Sequence, residues 1–123
     1  MASELTLNAS MVFDDSDIPD PLTLSVTDKT ITLTTVMAVY NKQLIATSET
    51  TINLGGIGTL GYVIFVNMDD TNYIEIKTAA SGTIIGKLFP GELMFFRVGS
   101  GITAPVAIAN TAQCRMATLI CAT

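Results

Sequence analysis

The side chains of this sequence that could carry chemistry are its carboxylates and two thiols. Histidine is absent, and with it go the usual general base near neutral pH and every Ser–His or Cys–His nucleophile pair. Asp14, Asp15, Asp17 and Asp20 crowd one stretch, and Asp69 and Asp70 another. Adjacency along a polar turn does not make a cleft that raises a carboxyl pKa, so these read as solvated turn acids. Asp15, Asp17 and Asp20 would suit a hard cation such as calcium. Their spacing lacks the glycine at position 6 and the glutamate at position 12 of a calcium-binding loop. Cys114 and Cys121 are seven apart in one run, roughly 23 Å in an extended strand and on opposite faces. They are expected to be free thiols packed as small hydrophobes, with no second cysteine pair to complete a metal site. In the segment GGIGTLG (55–61), Gly56, Gly58 and Gly61 fall at GxGxxG spacing, but no helix pattern follows and there is no Lys-Ser/Thr pair, so its glycines are assigned to a wide turn and not to phosphate binding. No catalytic set, metal or cofactor is expected, and the chain is read as a non-enzyme.

The elements that would position any site are strands. Gly61 to Val98 holds four β-type runs with turn signals between them and reads as a meander. Tyr62-Val63-Ile64-Phe65-Val66 is an unbroken β-branched and aromatic run, the composition of a strand covered on both faces. Asn67 to Asn72 is turn chemistry. In Tyr73 to Lys77, Ile74 and Ile76 fall on one face, Glu75 and Lys77 on the other. Ser81-Gly82 and Pro90-Gly91 then divide Thr83–Phe89 from Glu92–Val98. The aromatics Tyr62, Phe65, Tyr73, Phe95 and Phe96 sit inside apolar runs and are expected to pack in the core.

Upstream, Leu5, Leu7, Ala9, Met11 and Phe13 alternate with Thr6, Asn8 and Ser10, the signature of a half-buried strand. Residues 14–21, with four acids and two prolines, form an acidic loop. Leu22, Leu24 and Val26, then Thr27-Asp28-Lys29, then Ile31 and Leu33 read as a hairpin. Val36–Ala46 is β-rich, with Asn41-Lys42 as a turn or bulge in its middle and a helix as the competing reading. Short strands are expected at Thr50–Leu54 and Pro105–Ala109, and Gln113–Ala122 closes the fold. Short runs at intervals of about 8–12 residues without a helix indicate an all-β chain. The expected architecture is a single antiparallel β-sandwich or jelly-roll-like domain, residues 1–123, of about eight to ten strands.

Composition narrows the function. Only 14% of residues are charged while 49% are hydrophobic, against roughly 25% charged in ordinary soluble domains. No window reads as an apolar membrane span, so the excess is expected to be buried against other copies or other proteins. Net charge is −5 with no basic cluster, which disfavours nucleic acid. MASELTLNAS lacks a basic n-region followed by an apolar h-region, so synthesis in a cytoplasm is expected.

Asn53-Leu54-Gly55, Asn67, Asp69, Thr71-Asn72-Tyr73, Leu88 and Pro90-Gly91-Glu92 match a pattern spanning residues 50–123. It resembles that of small structural proteins of tailed bacteriophages, in which a glycine turn leads to an aromatic strand, an N-x-D-x-TN-Y segment and a PGE turn. The resemblance implies a β-sandwich virion component made in the host cytoplasm, with no enzymatic residues to carry over. The expected function is a capsid decoration or cement protein that self-associates, as a trimer, and binds the major capsid protein or another virion protein. A tail- or fibre-associated adaptor is the alternative, followed by a carbohydrate-binding module. Neither a nucleic acid nor a membrane is an expected partner. The first strand, residues 1–13, is the one to be swapped into, or added to, a neighbour's sheet, with Leu5, Leu7, Met11 and Phe13 as its interaction residues.

Overall fold

The computed structural model describes residues 3–17, 19–33 and 37–122. It contains β1 Ser3–Phe13, β2 Leu22–Leu33, β3 Ala38–Ile45, β4 Thr50–Thr51, β5 Leu60–Asn67, β6 Ile74–Lys77, β7 Ile84–Leu88, β8 Leu93–Arg97, β9 Val106–Ala109 and β10 Cys114–Ala122. Among the described residues there is no helix, and every strand pairing is antiparallel. The all-β sandwich class expected from the turn spacing is present. Where composition marks no boundary, the chain gathers into two compact units, Met1–Val36 and Met37–Thr123.

The second unit holds two four-stranded sheets, ordered β3-β10-β5-β8 and β4-β9-β6-β7. β3 pairs with β10, β4 with β9, β5 with β8 and β6 with β7. The chain therefore doubles back at the β6–β7 turn into one long ribbon, whose successive pairs fall in alternate sheets. That is the eight-stranded jelly roll.

The meander expected over Gly61–Val98 does not form. β6 and β7 are a hairpin, but β5 pairs with β8 and β10, not with β6. Alternation locates strands, whereas the connections decide who pairs. The tight turn at Ser81-Gly82, with Ser81 at φ 58° and the Gly82 N–H donating to Ala79 O at 2.9 Å, keeps β6 and β7 in one sheet. The segments 68–73 and 89–92 carry the chain to the other sheet. Asn41-Lys42 makes no turn or bulge either, since β3 pairs with β10 without interruption. The Asn41 amide instead donates to Asn53 O, and the Gln43 amide bonds both Thr51 O and Asn53 N–H, extending a ladder toward β4.

The core lies between the two sheets. Ile45, Phe65, Met116 and Ile120 from one meet Ile74, Ile76, Leu88 and Ala107 from the other. On β5, Val63 and Phe65 are buried, while Tyr62, Ile64 and Val66 point outward and are only half-buried. The expectation that this strand is covered on both faces is therefore corrected. Its unbroken apolar run reflects an outer face that is apolar too. Cys114 and Cys121 are both free and buried, and burial pushes both thiols up from their ordinary pKa.

Asn67, at the end of β5, fastens the connections between the sheets. Its Nδ2 donates to Asn72 O and Leu88 O, each at 2.9 Å, and its Oδ1 accepts the Asp69 N–H. Its own N–H donates to Glu92 O, and its carbonyl accepts the Gly91 N–H. Asp69 Oδ2 takes the N–H groups of Thr71 and Asn72, and Glu92 Oε1 takes that of Phe89. The turn residues between Asn67 and Glu92 thus converge on one buried amide and two loops. Their chemistry is the satisfaction of backbone groups at a crossing between sheets.

Asn67→Ala leaves the buried Leu88 carbonyl without its donor, and is expected to cost about 1–3 kcal/mol, read from the urea midpoint. Asn67→Asp should cost at least as much at neutral pH, because it turns an acceptor toward two carbonyls, and should recover part of the loss in acid. Thr118 Oγ1 is buried without a hydrogen-bond partner, so Thr118→Val is expected to add about 1 kcal/mol.

Candidate functional site

The first unit is a two-stranded antiparallel ribbon of β1 and β2. Alternating apolar and polar residues, Thr-rich in β2, make both strands, and the acidic loop connects them at the tip, where Phe13 pairs with Leu22. Ile18 lies outside the described residues. The hairpin expected within Leu22–Leu33 is corrected, since these residues form one strand. Thr27-Asp28-Lys29 is polar because it holds a β-bulge. Leu7 pairs with Lys29 but Ala9 with Val26, so Thr27 and Asp28 together oppose Asn8. Asp28 adopts φ 51°, a left-handed conformation that Asp tolerates, and its N–H donates to Asn8 Oδ1 at 2.7 Å.

The bulge shifts the phase of β2 by one residue, and in a strand one residue exchanges the faces. Leu22, Leu24 and Val26 are thereby brought to the same side as Ile31 and Leu33. All five join Leu5, Leu7, Met11 and Phe13, whose cross-strand partners they are or adjoin. The opposite side is Thr6, Ser10, Thr23, Ser25, Thr30 and Thr32, with Val12 the one large apolar exception. One side of the ribbon is thus predominantly apolar, with Lys29, the partner of Leu7, as its charged exception. Leu5, Leu7, Ile31 and Leu33 are half-buried, whereas toward the tip Met11 is 76% and Leu24 75% exposed.

The four expected interaction residues accordingly share one face. The five from β2 were missed, although the sequence carried a signal: the apolar positions of β2 switch from even to odd numbers across Thr27-Asp28. A lone two-stranded ribbon is marginal in water and needs a third layer or strand. Among the described residues neither strand pairs with a third, so the outer edges offer backbone groups for pairing. Such an element can recognise protein by burying its apolar side and by main-chain pairing.

The remaining candidates have a different character. Asp15 Oδ1 accepts the Asp17 N–H at 2.8 Å, as a turn acid does, and no group of three acidic or thiol side chains suited to a cation occurs among the described residues. The Asp69 carboxyl is held below its ordinary pKa by the Asn72 and Thr71 N–H groups. Glu49 is held down by Lys77 Nζ at 2.9 Å and by the Ser81 N–H. A general acid needs the opposite shift. Of the aromatics, Phe65 and Phe96 pack in or against the core as expected. Tyr62 and Phe95 instead stack on the outer side of the sheet, ring centroids 5.9 Å apart, with the Arg97 guanidinium 5.4 Å from the Tyr62 ring.

Depressed carboxyl pKa values stabilise the fold above the range in which the unfolded chain titrates, and that contribution is lost as pH falls through the folded values. The melting temperature is therefore expected to drop on acidification below the ordinary carboxylate range. Asp69→Ala should melt lower at neutral pH and show a shallower acid drop, as followed by circular dichroism across a pH series. Comparison with protein-family models, curated proteins and solved structures finds no match to this chain.

Proposed function

We propose that this chain is a non-enzymatic structural protein of a bacteriophage virion, a capsid decoration or cement protein that associates with its own copies and lies on the shell. The observation that carries this reading is the ribbon: eleven- and twelve-residue strands that among the described residues pair only with each other, with Met11 and Leu24 of the apolar side exposed toward the tip. Such surface is tolerated where another protein normally covers it. The phage-like pattern in the second unit supports the reading through its clamp on the loops between sheets. The jelly roll is a frame used by viral capsid proteins and also by lectins and cupins, so the fold is compatible with the function without deciding it.

The mechanism is repetition. A few hundred Å² of apolar contact per copy, at about 25 cal/mol per Å², is modest singly. Multiplied over a symmetric shell, it fastens neighbouring subunits against outward pressure. Low charge density suits a protein whose surface is largely contact.

The test uses the full chain with Met11→Glu and Leu24→Glu. Both side chains are solvent-exposed, so the fold should persist by circular dichroism, while incorporation into particles should fall more than tenfold. Undiminished co-sedimentation with particles overturns the proposal, as does immunogold label confined to the tail.

A further inference from the structure

The jelly roll presents a second apolar surface, the outer side of the sheet β3-β10-β5-β8. Outward positions alternate along each strand, and the register aligns them in rows. Tyr40, Leu119, Ile64 and Phe95 form one row straight across the four strands. Leu93 lies in the neighbouring row on one side and Leu44 two rows further along the strands on that same side. Tyr40 is 64%, Leu93 60% and Leu44 51% exposed. The charged residues of this side are all cations, Lys42 on β3, Arg115 on β10 and Arg97 on β8, and they stand at its margins. Three of the six basic residues of a chain of net charge −5 are thus arranged around an apolar centre, the arrangement of an interface with a dry core and a polar rim.

We propose that this sheet surface receives the β1–β2 ribbon of a second copy, joining the copies head to tail by exchange of ribbons. The proposal rests on the reading of the ribbon as a self-association device and names what the ribbon binds. The two surfaces match in kind. Each is an antiparallel sheet face with apolar side chains, and such faces pack about 10 Å apart. The ribbon, roughly 35 Å long and 10 Å wide at ordinary strand spacings, can cross all four strands. They match in charge, since the ribbon's tip carries Asp14, Asp15, Asp17 and Asp20, and the sheet's rim is cationic. They match in bookkeeping as well: every copy has one ribbon to give and one sheet to fill. Head-to-tail contacts of this kind close into a ring where the rotation permits.

The experiment is a complementation of two full-length variants whose changed side chains are all solvent-exposed. One carries Met11→Glu and Leu24→Glu on the ribbon, the other Tyr40→Glu and Leu93→Glu on the sheet. By light scattering, the wild type should be a discrete multimer and each variant alone a monomer with unchanged circular dichroism. An equimolar mixture should form a one-to-one pair of twice the chain mass, because it contains one intact ribbon and one intact sheet. A sheet variant that still assembles alone points to ribbon-on-ribbon contact, and a ribbon variant that does so points to sheet-on-sheet contact. Either result overturns the proposal, as does a mixture that stays monomeric or a monomeric wild type. Particle co-sedimentation separates this proposal from the virion reading: a wild type that assembles by exchange yet never joins particles sinks that reading alone.

Discussion

A sheet has two faces, and a two-stranded sheet with one apolar face has nothing of its own to lay against it. That constraint governs the β1–β2 ribbon. Its backbone is satisfied between the strands, but its apolar side chains gain little until a second layer excludes water from them. The bulge at Asp28 makes the problem acute by collecting the apolar residues of both strands on one side. Had the register run straight, Leu22, Leu24 and Val26 would have opposed Ile31 and Leu33, and each side would have been half polar. A left-handed aspartate and an Asn8 hydrogen bond thereby gather the apolar residues of both strands on one side, with Lys29 the charged exception.

The jelly roll differs in that its interior is complete. Both sheets fill the core, the Asn67 amide satisfies the backbone where the chain crosses between them, and the Gln43 amide bridges the edge strands. It therefore has freedom to carry apolar residues on the outside without losing its fold. The outer side of β3-β10-β5-β8 uses that freedom. Its apolar rows lie outside the core and, like the ribbon, are proposed to contact another copy.

Much of this was legible in the residues. Alternation and turn chemistry located the strands of the jelly roll, the Ser81-Gly82 and Pro90-Gly91 turns, the glycine turn at Gly55-Gly56 and two unpaired cysteines. The face of β1 was visible as well, in Leu5, Leu7, Met11 and Phe13. Pairing was not visible, because a period of two says which residues share a face and nothing about the neighbour across the gap. Hence a meander was expected where a rolled ribbon forms. The bulge was mistaken for a turn because both use Thr, Asp and Lys. The distinguishing sign was the change of phase and not the composition. Tyr62 to Val66 misled for a related reason: an unbroken apolar run means that both faces are apolar, and only the structure tells that one of them lies outside.

The account stands on the claim that both apolar surfaces are covered by protein in the working state. Sedimentation equilibrium of the purified wild-type chain over a range of concentrations measures this most directly. The account predicts a discrete mass at an integer multiple of 13.0 kDa that survives dilution into the micromolar range. A single species of 13.0 kDa at every concentration, soluble with its ribbon and sheet surfaces bare, would contradict it.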